Sequence, residues 1–454
     1  MPVDAFLPLI AETRALTDRF ADAGKALYLV GGIVRDAISG RIRSELDIDL
    51  TTDATPDEIE SIIRAARPRA VWTQGKRFGT IGATFASASG DGVRAYEITT
   101  HRSEVYREDS RKPAVRFATA VEEDLARRDF TVNAMAIALV GPPERRTGPG
   151  ALIDPFGGVD DLARRRLRTP LSPEVSFNDD PLRMLRAARF IAAFELVPDA
   201  ALVEAVTTLR DRLAIVSAER IGGELDKLLL VDAPALGLQF LVDTGLAEVF
   251  LPELDRLAAR EPGHDQEDLV RRTIAAVAAM RSDRVLRLAA LMTAIPGSPE
   301  DRMRALKYSN EDIHDVVRLV TLRRRLTASV MWSDGDVRRL VRDAGALLGR
   351  LTELARGDVG PYDETYARIP SSHMDELESR IDALRQGEDL DAIEPDLDGT
   401  AVMAHLGVRP GREVGEALDM LLEHRLVHGP LGAAHARDVL VRWWAVRSGT
   451  VVTC

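Results

Sequence analysis

Cysteine is almost absent from this chain of 454 residues: the single one, Cys454, is the last residue. That excludes a disulfide framework and a thiolate metal site. A basic-then-apolar leader and an apolar run of membrane-spanning length are also missing, so the sequence predicts a soluble, cytoplasmic chain with no membrane association. Positive net charge is lacking too. Lys and Arg number 60 against 72 Asp and Glu, a formal charge of −12, which argues against a protein coated in nucleic acid. A local basic groove is still allowed, because distribution rather than sum sets the field. Lysine is scarce and arginine is clustered, at Arg127-Arg128, at Arg164-Arg165-Arg166 with Arg168, and at Arg183, Arg186 and Arg189. Some of these are the ordinary solvated faces of an arginine-rich chain. No fixed-period repeat is visible.

The length predicts two to four domains, and an apolar content of 45% is ample for their cores. Residues 1–137 mix helices and strands. An amphipathic helix (Phe6–Ala23) leads into strand Leu27–Val30, and strand Leu46–Thr51 follows. Helix Pro56–Ala66 opens after the capping residue Thr55, with proline at its first position. Strands Ala70–Thr73, Thr80–Phe85 and Val93–Thr99 come next. His101–Val115 is charged and aperiodic and reads as a mobile loop, and Arg127–Ala134 reads as running into a helix. Beyond residue 155 helical spacing dominates, in Asp179–Phe194, Asp199–Arg210, Glu219–Leu230 and Ala235–Thr244. Linkers are predicted at Gly141–Gly150, Gly357–Ser372 and Gly387–Asp398.

The chemistry concentrates near the N-terminus, in Leu29-Val-Gly31-Gly32-Ile-Val-Arg35-Asp36 followed by Asp47-Ile-Asp49. Residues two apart on a strand share a face, so Asp47 and Asp49 project together and repel unless a cation lies between them. The glycine pair lets backbone amides approach a phosphate, and Arg35 adds charge there. Asp-x-Asp alone reads more often as two surface acids. Behind Gly-Gly-x-x-Arg-Asp it reads as a ligand pair for Mg²⁺ carrying a nucleoside triphosphate. Glu97 is either a third carboxylate of that site or an ordinary strand glutamate. In Asp180-Pro-Leu-Arg183-Met-Leu-Arg186-Ala-Ala-Arg189-Phe190 the polar residues step by three along one helical stripe. Leu182, Leu185 and Phe190 take the opposite face, so the stripe confronts something charged. Asp180 accepts and Arg183 donates, the pairing needed to read the edge of a base. The alternative is an N-terminal acid followed by solvated arginines.

Leu29–Asp36 with Asp47-x-Asp49, Arg127–Ala134, Asp154–Leu162, Asp180–Phe190 and Glu219–Leu225 resemble, in order and spacing, the five motifs of class II tRNA nucleotidyltransferases, the CCA-adding enzymes related to bacterial poly(A) polymerase. Leu397–Gly415 more loosely resembles their tail. The resemblance implies an α/β head of the polymerase-β nucleotidyltransferase type followed by an all-α neck, body and tail: 1–140 catalytic head, 141–230 neck with base recognition, 231–385 helical body with a degenerate HD-like module, and 386–454 RNA-binding tail. It further implies that Asp47 and Asp49 bind the catalytic metals, with Glu97 beside them. Gly31, Gly32 and Arg35 would contact the triphosphate, and Arg128, Asp129 and Asn133 the ribose and phosphates. Asp180 and Arg183 would template the base, supported by Arg186 and Arg189. Asp154–Leu162 would be a hinge, and Glu219–Leu225 a buttress. Asp179 stands where the family has glutamate, with shorter reach.

The activity so implied is template-independent, two-metal transfer of CMP and AMP from CTP and ATP to the 3′ end of tRNA, with Mg²⁺ as cofactor and no obligate protein partner. The acceptor arm would be gripped through phosphates, for which Arg164, Arg165, Arg166 and Arg168 are candidates. The long 101–115 segment, which CC-only relatives shorten, and Gly75–Gly82, of CCA type, favour full CCA addition. A-only addition, poly(A) synthesis and a non-catalytic RNA- or nucleotide-binding protein are the alternatives. Relatives often carry a His-Asp phosphohydrolase module. Here Thr293-Ala294 occupy the place of that pair, and Arg271-Arg272 the place of the upstream histidine, so the module is expected to be inert. His314-Asp315 reads as a surface pair, and Trp332, Trp443 and Trp444 as helix packing.

Overall fold

Leu27–Val30 (β1) lies between Asp47–Thr52 (β2) and Ala136–Val140 (β8), antiparallel to both. The full sheet adds Ala70–Trp72 (β3), Thr80–Ala86 (β4), Val93–Thr100 (β5) and Leu152–Ile153 (β9), in the order β3-β4-β5-β2-β1-β8-β9. Among the strand pairs of this sheet, β2 and β5 run parallel and the others antiparallel. The computed structural model describes residues 6–41, 47–88, 90, 92–105, 114–141, 150–254, 266–294, 296–328, 332–357 and 369–448, in two units, Met1–Pro252 and Glu253–Cys454.

One sheet face is the core. Helix α1 (Leu7–Asp22) buries Leu9, Thr13, Leu16 and Phe20, an alternating four-three-four spacing that lines one side of the helix. Helix α3 (Pro56–Ala65) adds Ile59 and Ile63, and opens with a full capping box between Thr55 and Glu58. Against them stand Leu29, Ile48, Leu50, Ile81, Ala83, Tyr96, Ile98 and Ile137. Each fully buried aliphatic side chain is worth about 1.5–3 kcal/mol. Strand alternation therefore turns Asp49, Glu97 and Gly82 to the other face, where α4 (Val121–Ala126) packs on Tyr28, Val30 and Ala138.

Three predicted elements differ. The chain after Ala134 is strand β8, not helix. Alanine, methionine and leucine favour helix intrinsically, but pairing Leu29 with Ile137 extends the sheet and buries the segment on both faces. The 101–115 segment holds an antiparallel ribbon of Arg102–Val105 (β6) and Ala114–Phe117 (β7), while residues 106–113 lie outside the described residues. The helix predicted over Asp179–Phe194 is two helices, α6 (Pro173–Asp179) and α7 (Leu182–Phe194), because Asp180 is extended before Pro181. Helices α8 (Ala200–Leu209), α9 (Ala218–Leu229), α10 (Ala235–Asp243) and α11 (Ala247–Phe250) complete the first unit.

The regular elements among the described residues of the second unit are all helices, with no strand among them. Thr293 and Ala294 are wholly buried in helix Arg284–Ala294, and the Thr293 hydroxyl donates to the Ala289 carbonyl at 2.7 Å. His314 is exposed on helix Asn310–Ala328, as a surface residue should be. Most of the linkers 141–150 and 357–372, together with Cys454, falls outside the described residues. Past Gly387, which ends helix Ser371–Gly387, the predicted 387–398 linker is non-helical but not loose. Leu390, Ile393 and Leu397 are buried, and Glu388 accepts from Arg338 and Arg425, both at 2.7 Å. Trp443 packs on the core of the tail helices.

Candidate active site

Gly31 ends β1 with φ +78° and starts α2 (Gly32–Ile38). A side chain there would be strained, and it would also collide. Its Cβ would sit 2.9 Å from Arg128 Nη1 and 3.6 Å from Asp49 Oδ2. The turn therefore holds bare backbone, a guanidinium and a carboxylate around one point. Asp47 lies in the same strand, opposite Ala95, while Asp49 pairs in register with Glu97 of β5. In-register residues share a face, so Glu97, which is exposed, stands level with Asp49. Among the described residues no three His, Cys, Asp or Glu side chains already converge on one point, and the Asp47 side chain is not among those described. The donors available are carboxylate oxygens, the ligand type preferred by hard divalent cations such as Mg²⁺.

A second chain of polar contacts runs behind the turn. Arg35 is buried, donates to Asn133 Oδ1 at 2.6 Å and pairs with Asp36 at 2.7 Å. Its guanidinium lies 4.2 Å from the ring centre of Phe194. Asn133 in turn donates to Asp129 Oδ1 at 2.9 Å, and Arg186 donates to Asp129 Oδ2 at 3.0 Å. Burial pushes the Asp129 carboxyl up, but Arg186 and Asn133 outweigh it and hold the pKa at about 2. Arg35, Asn133, Asp129 and Arg186 are thus one hydrogen-bonded relay joining α2, the 129–133 turn and α7. Asp124, fully buried on α4, accepts from both Arg127 and Arg128, and these arginines keep its carboxyl ionised despite burial. Asp124 was not foreseen as a site residue. Its spacing three and four residues before Arg127 and Arg128 was the available signal.

The stripe on α7 confronts charge as the sequence suggested: Arg186 meets Asp129, and Arg189 meets the buried Glu224 of α9. Asp180 and Arg183 are not drawn to each other. Asp180 sits between α6 and α7, accepts from the Leu182 amide at 3.2 Å and pairs with Arg220 at 3.2 Å. Arg183 is buried and donates to Ser176 Oγ at 2.9 Å and to the Arg127 carbonyl. Arg220, which sequence reasoning placed in the buttress, is therefore the residue that holds Asp180. Farther along, Asp154 caps α5 (Gly158–Ala163) through the amides of Gly158 and Val159. Of the four arginines proposed for RNA, Arg166 and Arg168 pair with the buried Asp161 at 2.7 and 2.8 Å. Arg164 and Arg165 are exposed, paired with Asp160 and Glu195.

Comparison with known proteins finds relatives of this sequence and fold. The poly A polymerase head domain matches residues 27–168, and the probable RNA and SrmB-binding site of polymerase A matches residues 197–257. Over these residues the chain is similar to the class II CCA-adding enzyme and poly(A) polymerase family. Within it, a CCA-adding enzyme of Bacillus licheniformis is 40% identical over 255 residues, covering 56% of this chain and 57% of that protein. The Bacillus subtilis CCA-adding enzyme is 39% identical over 230 residues, covering 50% and 52%. The chain thus matches only about half the length of these curated relatives. The crystal structure of the Bacillus stearothermophilus CCA-adding enzyme in complex with CTP superposes with a TM-score of 0.70 at 25% identity, covering 99% of this chain and 100% of that one. The Thermotoga maritima enzyme complexed with tRNA shares the fold, with a TM-score of 0.60 at 21% identity, covering 95% and 94%. The family fold has the two parts found here, a polymerase head and a helical C-terminal region. Among the described residues no helix is long and apolar enough to cross a membrane.

Proposed function

We propose that the chain is a cytoplasmic tRNA nucleotidyltransferase that adds C, C and A to tRNA 3′ ends from CTP and ATP. The observation that carries this reading is the Gly31 turn, where backbone, the Arg128 guanidinium and the Asp49 carboxylate meet within 3.6 Å of one point. The acceptor's 3′ hydroxyl attacks the α-phosphorus, the α–β P–O bond breaks, and pyrophosphate leaves. Since the nucleophile belongs to the RNA, the protein's work is positioning and charge. Asp47 and Asp49, with Glu97 level beside them, would hold Mg²⁺, which when bound neutralises charge on the reacting oxygens. Arg35 and Arg128, with the Gly31-Gly32 amides, draw the triphosphate into the turn. Asp129 and Asn133, fixed by Arg186 and Arg35, place hydrogen-bonding groups for the ribose.

Base choice is assigned to Asp180 and Arg183. Cytosine and adenine both present an exocyclic amino group beside a ring nitrogen acceptor, so one carboxylate and one guanidinium can read either. Uracil and guanine present a carbonyl where the amino group is needed. The Asp180–Arg220 pair is half-exposed, so a bound base can compete for that carboxylate. Arg164 and Arg165 are the solvent-facing candidates for contact with the acceptor arm.

The decisive assay combines tRNA lacking its 3′ end, labelled CTP or ATP, and Mg²⁺. Incorporation of two C and one A supports the proposal. C alone, A only on a CC-ended acceptor, or a long A tail would each assign a narrower or different transferase. No incorporation would favour a binding protein.

A further inference from the structure

The in-register residues Asp49, Glu97, Gly82 and Trp72 form one row across β2, β5, β4 and β3. Their neighbours Ile48, Leu50, Ile98, Tyr96, Ile81 and Ala83 belong to the apolar core, and Val71 packs against it. The whole row therefore faces the other way, on the side of the sheet that carries the site. Two acids begin it. The third position has no side chain, and the fourth fills the gap. A Cβ at Gly82 would fall 1.9 Å from Trp72 Cε2 and 2.1 Å from Nε1, so the indole lies across the glycine, next to Glu97. Strands are spaced about 4.8 Å apart, which puts this ring about 10 Å from the Asp49 backbone.

We infer that the Trp72 indole is a stacking platform for the terminal base of the RNA acceptor. The inference rests on the proposed function, because it takes the acceptor's 3′ oxygen to be at the acids. A base on the ribose that carries that oxygen reaches the indole two strands away. Stacking suits the task, since successive acceptors end in different bases and every base has a π-face, whereas a hydrogen-bonding pocket would discriminate among them. Gly82 is needed because any side chain there would lift the ring off the sheet. Trp72 acts here by contact with substrate and makes no bond.

Trp72→Leu and Trp72→Phe separate stacking from packing. Leucine covers Gly82 but has no π-face; phenylalanine keeps one. The expected result for Trp72→Leu is a KM for acceptor tRNA raised about 5-fold to 150-fold, the range of one base–aromatic stack, with the KM for CTP unchanged. Trp72→Phe should stay within about 3-fold of the parent. A second reading needs no catalysis: a short unpaired RNA ending in CC should quench tryptophan emission in the parent, and the quench should be absent in Trp72→Phe, whose remaining indoles are Trp332, Trp443 and Trp444. Equal KM losses in both variants, or incorporation without Trp72 quenching, would overturn the platform. Quenching without any incorporation would uphold it and instead overturn the reaction assigned to the site.

Discussion

Removing the Arg186 guanidinium is the sharpest test of the relay behind the turn. Asp129 is buried, and its carboxyl sits at about 2 against an ordinary value of 3.8. At 1.36 kcal/mol per unit that difference corresponds to about 2 kcal/mol of stability. Because the folded pKa is the lower one, this contribution is complete above pH ~4 and is lost as pH falls through ~2. In Arg186→Ala the carboxylate loses its ion pair and burial dominates, pushing its pKa above the ordinary value. Breaking a fully buried pair costs about 3–5 kcal/mol. The Arg186 side chain is 31% exposed, so water can replace it in part, and about 2–3 kcal/mol is expected. The loss should be largest at pH 7 and shrink on acidification, as the stranded carboxyl takes up a proton. Hydrogen exchange on the full chain, read in peptides over 121–141 and 182–194, measures this local stability directly. Asp129→Asn combined with Arg186→Ala should be less damaging than Arg186→Ala alone, because no buried charge is left. A loss below about 0.5 kcal/mol, or a double variant as unstable as the single one, would refute the argument.

Gly31→Ala forces a side chain to φ +78° at a cost of about 1–2 kcal/mol and drives it into Arg128; the KM for nucleotide should rise at least tenfold with far-ultraviolet circular dichroism unchanged. Arg166→Ala or Arg168→Ala should lower the first unit's urea midpoint by weakening the hold on the buried Asp161, leaving the salt dependence of tRNA KM intact. Arg164→Ala or Arg165→Ala should do the reverse, flattening the log–log salt slope by about 0.7–0.9 for each phosphate that is no longer neutralised. Glu388→Ala strands two buried guanidiniums, Arg338 and Arg425, and should destabilise the second unit by about 3–5 kcal/mol in urea unfolding, with Glu388→Gln recovering part of the loss.

The head was largely legible because its signals are local. Thr55-Pro56 with Glu58 encodes a helix start that needs no tertiary help, and α1, β1 and β3–β5 end within a residue or two of where periodicity placed them. Ala136–Val140 was misread because propensity favours helix there, and only the free edge of β1, a long-range fact, makes it a strand. The break at Asp180 was misread for a related reason. The three-residue step of Asp180, Arg183 and Arg186 mimics helical phase, yet Pro181 excludes the helical conformation from the residue before it.

The same limit explains the site. The glycine turn could be read from the chain because it depends on neighbours two or three residues away, and Asp49 does lie beside it. Which acid takes which arginine could not, since the partners are far apart in sequence: Asp129 with Arg186, Glu224 with Arg189, Asp180 with Arg220. These choices divide an apparently uniform run of arginines into two kinds. Arg166 and Arg168 are spent on holding a buried carboxylate in place, while Arg164 and Arg165 face solvent. A net charge of −12 is compatible with an RNA-handling surface for that reason: most of the clustered arginines neutralise internal acids, and only the exposed remainder need meet phosphate.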